Sequence, residues 1–152
     1  MKNNTQLEQW IIPNFSTIND EAYSKIYSTK DYDFILSAKY FKYLYFPFNI
    51  NIKLNIKSPS KKKKKITAQL TFLILNQDPN KNLFISTKCS FTNPQFEYTL
   101  KTGLSERKLT DLRRGWIISD SIQINFQIEV IKNIYYHYET GEEDEEESEA
   151  EN

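Results

Sequence analysis

The stretch FNINIKLNI, Phe48 to Ile56, alternates without interruption: Phe48, Ile50, Ile52, Leu54 and Ile56 share one parity, and Asn49, Asn51, Lys53 and Asn55 the other. Side chains of a β-strand repeat every two residues, so this row describes a strand with one face in a core and one in water. How often the pattern recurs decides the fold. IQINFQIEV sets Ile122, Ile124, Phe126, Ile128 and Val130 against Gln123, Asn125, Gln127 and Glu129. ITAQLTFLIL gives the row Ile66, Ala68, Leu70, Phe72 and Ile74, although Leu73 and Leu75 make its far end apolar on both faces. LFISTKCSF adds Leu83, Ile85, Thr87, Cys89 and Phe91. Shorter strand candidates are Glu8 to Ile12, Ala22 to Ser28, Tyr32 to Ala38 and Phe96 to Leu100.

The segments between these rows carry turn formers: NFSTIND, SPS, NQDPNKN and TNP. Several antiparallel strands at short spacing, with almost no helical period, predict an all-β sandwich or barrel. The exception is SERKLTDLRRG, where Ser105 is suited to cap a short helical turn and Gly115 to end it. The rows ending at Ile56 and resuming at Ile66 predict that Lys57 to Lys65 is the solvated connection of a β-hairpin, with Pro59 kept out of a central strand.

A length of 152 residues suits one domain with short tails. The single cysteine, Cys89, cannot form an internal bridge, and no leader pattern follows Met1, so a reducing cytoplasm, or the nucleus, is the expected compartment. No apolar run approaches the roughly 18 residues of a membrane-spanning helix. The net charge of zero hides an asymmetry. Residues 139–152 hold nine acids and no Lys or Arg; removing those nine from the chain's 20 acids leaves 11 against 20 basic residues, a body of about +9 and a tail of about −9. GEEDEEESEAEN has almost nothing to bury and is expected to be disordered. The chain thus divides into an N-terminal extension (1–7), a β-sandwich (8–134) and an acidic tail (135–152).

Three segments in order then become specific: QWIIPNFS from Gln9, AQLTFLILNQ from Ala68, and RRGWIISDSIQINFQIEVI from Arg113, with the pair Tyr27-Ser28 and the DFIL strand between the first two. Together they resemble the MATH domain, also known as the TRAF-C fold, over about residues 8–132. That resemblance implies an eight-stranded antiparallel β-sandwich with a shallow groove on one sheet. There a short extended segment of a partner protein lies beside a strand edge by strand addition, with affinity of the order of micromolar, about −8 kcal/mol. Read from the residues, Trp10 and Ile12 face inward, Phe15 closes that end, Gly115 permits the turn into the last strand and Asp120 beside Ser121 binds nearby backbone amides.

The resemblance places groove positions at Phe48 or Asn49, near Leu70 and Cys89, and at Pro94, Gln95 and Phe96. Where adaptor members of the family carry Trp-Gly-Phe, this chain has Pro94-Gln95-Phe96, so a partner motif does not transfer. Leu70 shares parity with Phe72 and Ile74, which makes it a core candidate as well, and Cys89 reads as a small buried hydrophobe more than as a reactive thiol. Relatives act in ubiquitin pathways and receptor signalling; here such a link is an association only, and without a coiled coil a monomer is expected.

Catalysis has little to stand on. His137 is the one histidine, and no phosphate-binding loop, dinucleotide fingerprint or zinc motif occurs, so neither an enzyme nor a cofactor or metal is expected. The run Lys61, Lys62, Lys63, Lys64 and Lys65 offers a second reading, a basic β-sandwich contacting nucleic acid or anionic membrane, weakened because SPSKKKKK has no stacking aromatic beside it. Alternatively, the acidic tail is expected to fold back over Lys61 to Lys65 as a loose clasp that competes with an anionic partner. A third reading is a permanent subunit of a larger assembly.

Overall fold

The computed structural model describes residues 7–17, 21–39, 47–57, 62–92, 95–136 and 143–146, with 62–64, 133–136 and 143–146 as backbone only. Eight strands form two antiparallel sheets, as the alternation predicts. They are β1 (Glu8–Ile12), β2 (Glu21–Ser28), β3 (Tyr32–Lys39), β4 (Phe48–Ile56), β5 (Lys62–Ile74), β6 (Leu83–Thr92), β7 (Glu97–Leu104) and β8 (Ile122–Tyr136). One sheet runs β1-β8-β5-β6 and the other β2-β3-β4-β7.

The core lies between the two sheets and is built from the inward parity of each strand. Ile50, Ile52 and Leu54 of β4 face Ile66, Ala68, Leu70, Phe72 and Ile74 of β5 and Ile122, Ile124 and Phe126 of β8 within one buried cluster. Phe126 is its hub: it stacks on Phe72 at 5.5 Å between centroids and receives the edge of Tyr27 at 4.8 Å. Tyr27 crosses between the sheets, since its hydroxyl donates to the Gln9 carbonyl of β1 at 2.9 Å. Trp10, Ile12 and Phe15 are buried, as expected. Ile128 and Val130, read as core, are only half-buried, because among the described residues β1 flanks β8 no further than Phe126.

Two irregularities are absorbed locally. The register of β2 on β3 slips between Tyr23 and Ile26, and the buried hydroxyl of Ser24 accepts from the Leu36 N–H at 2.9 Å while donating to the Lys25 carbonyl. On β7, Thr102 and Gly103 loop out before Leu104 pairs with Phe48; Gly103 takes φ +79°, and the Thr102 hydroxyl donates to the Phe48 carbonyl. After β7 come a short helix α1 (Glu106–Thr110), capped by Ser105 Oγ, and a 3-10 turn (Leu112–Arg114) closed by Gly115 in the left-handed region.

The expected hairpin across the lysines is corrected. β4 and β5 belong to different sheets, so the chain between Ile56 and Lys62 crosses from one to the other. Lys62 to Lys65 are strand, not loop, because β8 runs on to Tyr136 and its backbone pairs with theirs whatever the side chains. A further strand, β9 (Glu143–Glu146), pairs antiparallel with Asn133 to Tyr136 of β8; the rest of the acidic tail, of which disorder is expected, lies outside the described residues with His137. No helix among the described residues is long and apolar enough to cross a membrane.

Candidate functional site

The outward parity of the β2-β3-β4-β7 sheet forms an open cleft of about 540 Å³, lined by Glu21, Ser37, Lys39, Pro47, Asn49, Asn51, Glu97 and Thr99. Strand pairing assembles it. Tyr23 pairs with Ser37, Ser37 with Asn51, and Asn51 with Thr99, giving one polar row across four strands. On one side of that row Ile35 pairs with Lys53 and Lys53 with Glu97; on the other Glu21 pairs with Lys39 and Asn49 with Lys101.

The floor is uncharged and rich in hydrogen-bonding groups, while acids and lysines stand at both ends. Thr99 Oγ1 lies 3.4 Å from Asn51 Oδ1, and Asn51 Nδ2 3.5 Å from Glu97 Oε1. These are long bonds, so the Asn51 amide remains able to turn toward a ligand. Among the described residues β7 pairs with β4 alone, which leaves its other edge with unpaired backbone groups beside the cleft.

The positions expected from sequence are dispersed. Asn49 lines the cleft, whereas Phe48, its alternative, points into the core and is buried. Leu70 has no exposed surface and is a core residue, because it shares the buried parity of Ile66, Ala68, Phe72 and Ile74, which faces the opposite sheet. Cys89 is also inward and buried, and desolvation pushes its thiol up to about 12, which keeps it protonated and unreactive. Gln95 is exposed, and Phe96, half-buried with φ +51°, sets the start of β7: its N–H donates to the Thr92 carbonyl and its carbonyl accepts from the Leu54 N–H, both at 3.0 Å. Pro94 and Lys61 lie outside the described residues.

Ser37, Asn51, Thr99, Glu97, Glu21 and Lys39 were not singled out in the sequence. One signal was there: asparagine is disfavoured in strands, yet β4 carries it at 49, 51 and 55 on its outer face. Among the described residues no group of His, Cys, Asp and Glu is placed to hold a metal ion.

The three sequence segments that carry the family resemblance meet away from this cleft. Gln77 N–H donates to the Gly115 carbonyl at 2.8 Å, Gln77 Nε2 to the Ile117 carbonyl at 2.7 Å, and Asn76 Nδ2 to the Arg114 carbonyl at 2.8 Å. Asp120 takes the Ser16 N–H at 2.8 Å and the Ser16 hydroxyl at 2.9 Å, and so grips the segment after β1. No protein-family model matches the chain, and no curated protein matches it either.

Proposed function

We propose that the protein is a peptide-recognition module, with an extended segment of a partner protein added along the outer edge of β7 and its side chains entering the cleft. The observation that carries this reading is the coincidence of an unpaired strand edge with a polar cleft on the same face of the sheet. Main-chain hydrogen bonds to the edge give affinity, and alternate side chains of the ligand reach the cleft for selectivity. Asn49, Asn51, Ser37 and Thr99 offer both donors and acceptors, which suits polar ligand side chains, with Glu21, Glu97 and Lys39 to select charge at either end. The sequence resemblance to MATH domains supports the same reading, since the eight-stranded antiparallel sandwich it implies is the fold observed.

Selection from a random peptide library tests it. Recovered peptides should bind with affinities of the order of micromolar. Asn51→Trp, which fills the cleft from a solvent-facing position, should abolish that binding without lowering thermal stability. Peptides whose binding survives Asn51→Trp would refute the assignment.

A further inference from the structure

Among the described residues each sheet ends in two edge strands, and three of these four edges carry features that keep an edge from pairing with another chain. β1 has five residues and is followed by Pro13. β2 breaks register between Tyr23 and Ile26, while β7 loops out at Thr102 and Gly103 and exposes Glu97 and Lys101. Short length, prolines, bulges and charges are the devices that blunt a strand edge. β6 has none of these beyond the single charge of Lys88. It runs for ten residues in unbroken register on β5, from Leu83 opposite Ile74 to Thr92 opposite Lys65, and among the described residues its other edge is unpaired. The sandwich is also open along part of that edge. Of the inward-facing residues of β6, Cys89 and Phe91 are buried, whereas Leu83, Ile85 and Thr87 are only half-buried, although their partners Ile74, Phe72 and Leu70 are fully covered.

We infer that β6 pairs antiparallel with β6 of a second copy, about a twofold axis through Thr87, so that the two β1-β8-β5-β6 sheets join into one. A twofold contact has to be self-complementary, and that requirement selects the register. Residues opposite one another in an antiparallel pair share a face, so the axis must pass through a residue if inward side chains are to meet inward ones. With Thr87 on the axis, Leu83 stands opposite Phe91 of the second copy, Ile85 opposite Cys89 and Thr87 opposite its own counterpart. The covered end of one β6 thereby meets the open end of the other, and the inner row is apolar except for a threonine pair, a favourable cross-strand combination. On the outer face Phe84 stands opposite Ser90 and Ser86 opposite Lys88. An axis through Lys88 would set two lysines directly opposite, and one through Ser86 would leave Phe91 outside the paired span. A peptide is the weaker occupant, because Lys88 is the one charged group that β6 offers to select it. The contact is made by strands, so the lack of a coiled coil, on which the expectation of a monomer rests, does not bear on it. Nor does it depend on the peptide reading, whose edge is β7.

The test is sedimentation velocity of the full chain over a range of concentrations, with substitutions confined to the exposed outer face of β6. The unaltered chain should pass from 18.1 kDa toward twice that mass, with a dissociation constant of the order of micromolar. Ser86→Lys sets like charges opposite each other at two symmetric positions and should weaken association by about fivefold. Ser86→Glu sets opposite charges there and should tighten it by about fivefold, an effect that high salt removes. Both variants lose the serine hydroxyl that accepts from Gln69 Nε2 at 3.0 Å, so the difference between them reads the charge pairing. Adding Lys88→Glu to Ser86→Lys should turn the weakening into tightening, which loss of folding could not imitate. A mass of 18.1 kDa at every concentration for the unaltered chain and Ser86→Glu alike would overturn the inference. So would association that the two Ser86 variants shift in the same direction or not at all, or masses that climb past the dimer.

Discussion

Gly115 and Asn76 compete for one piece of space: a methyl group on Gly115 would stand 2.5 Å from Asn76 Oδ1. That oxygen accepts from the Asp78 N–H at 2.9 Å and the same side chain donates to the Arg114 carbonyl, so it is pinned at both ends. The end of β5 and the turn leading to β8 are therefore locked by a glycine that has to be a glycine.

Gly115→Ala is expected to destabilise the fold by about 2–4 kcal/mol, combining left-handed backbone strain with the loss of Asn76 hydrogen bonds. Gly103→Ala is the control. Its φ of +79° is similar to the +84° of Gly115, but nothing lies within 4 Å of an added methyl, so strain alone should cost about 1–2 kcal/mol. Urea denaturation of both variants measures the difference.

Asp120→Ala removes the acceptor for two groups of Ser16 at a left-handed residue with φ +55°. The expected loss is about 2 kcal/mol, reduced by the exposure of the pair. Asp120→Asn tolerates the backbone and keeps one amide acceptor, so it should lose about half as much. Equal losses in the two variants, by thermal or urea unfolding, would show that the carboxylate on Ser16, and not the left-handed backbone, carries the effect.

Cys89 should resist alkylation in the native protein at about pH 8 and react once urea exposes it. Burial raises its thiol from about 8.5 in the unfolded chain to about 12, so its contribution to stability is intact below the lower value and declines as pH rises toward the upper one. Cys89→Ala should flatten that part of the pH–stability profile, because alanine has no proton to lose.

The strands were legible because their evidence is local: FNINIKLNI, ITAQLTFLIL and IQINFQIEV each show their buried parity without reference to anything else, and the Ser105 cap and Gly115 stop are set by single residues. What escaped is what pairing decides. Nothing local to Ile56 or Ile66 says that the chain changes sheets between them, and strand through Lys62 to Lys65 depends on how far β8 extends, about 70 residues away. Asp120 was expected at its own turn, and its partner proved to be Ser16, 104 residues earlier. The cleft was partly hidden for the same reason. Asn49 was found, but Ser37, Asn51 and Thr99 become one site only when three strands align.

The most direct test of peptide capture is a nuclear magnetic resonance titration of the isotopically labelled protein with a library-selected peptide. The account predicts that backbone amide shifts concentrate on Glu97 to Lys101 of β7 and Asn49 to Lys53 of β4, with new exchange protection along the outer edge of β7. Shifts confined to β5, β6 and β8 of the other sheet would contradict it.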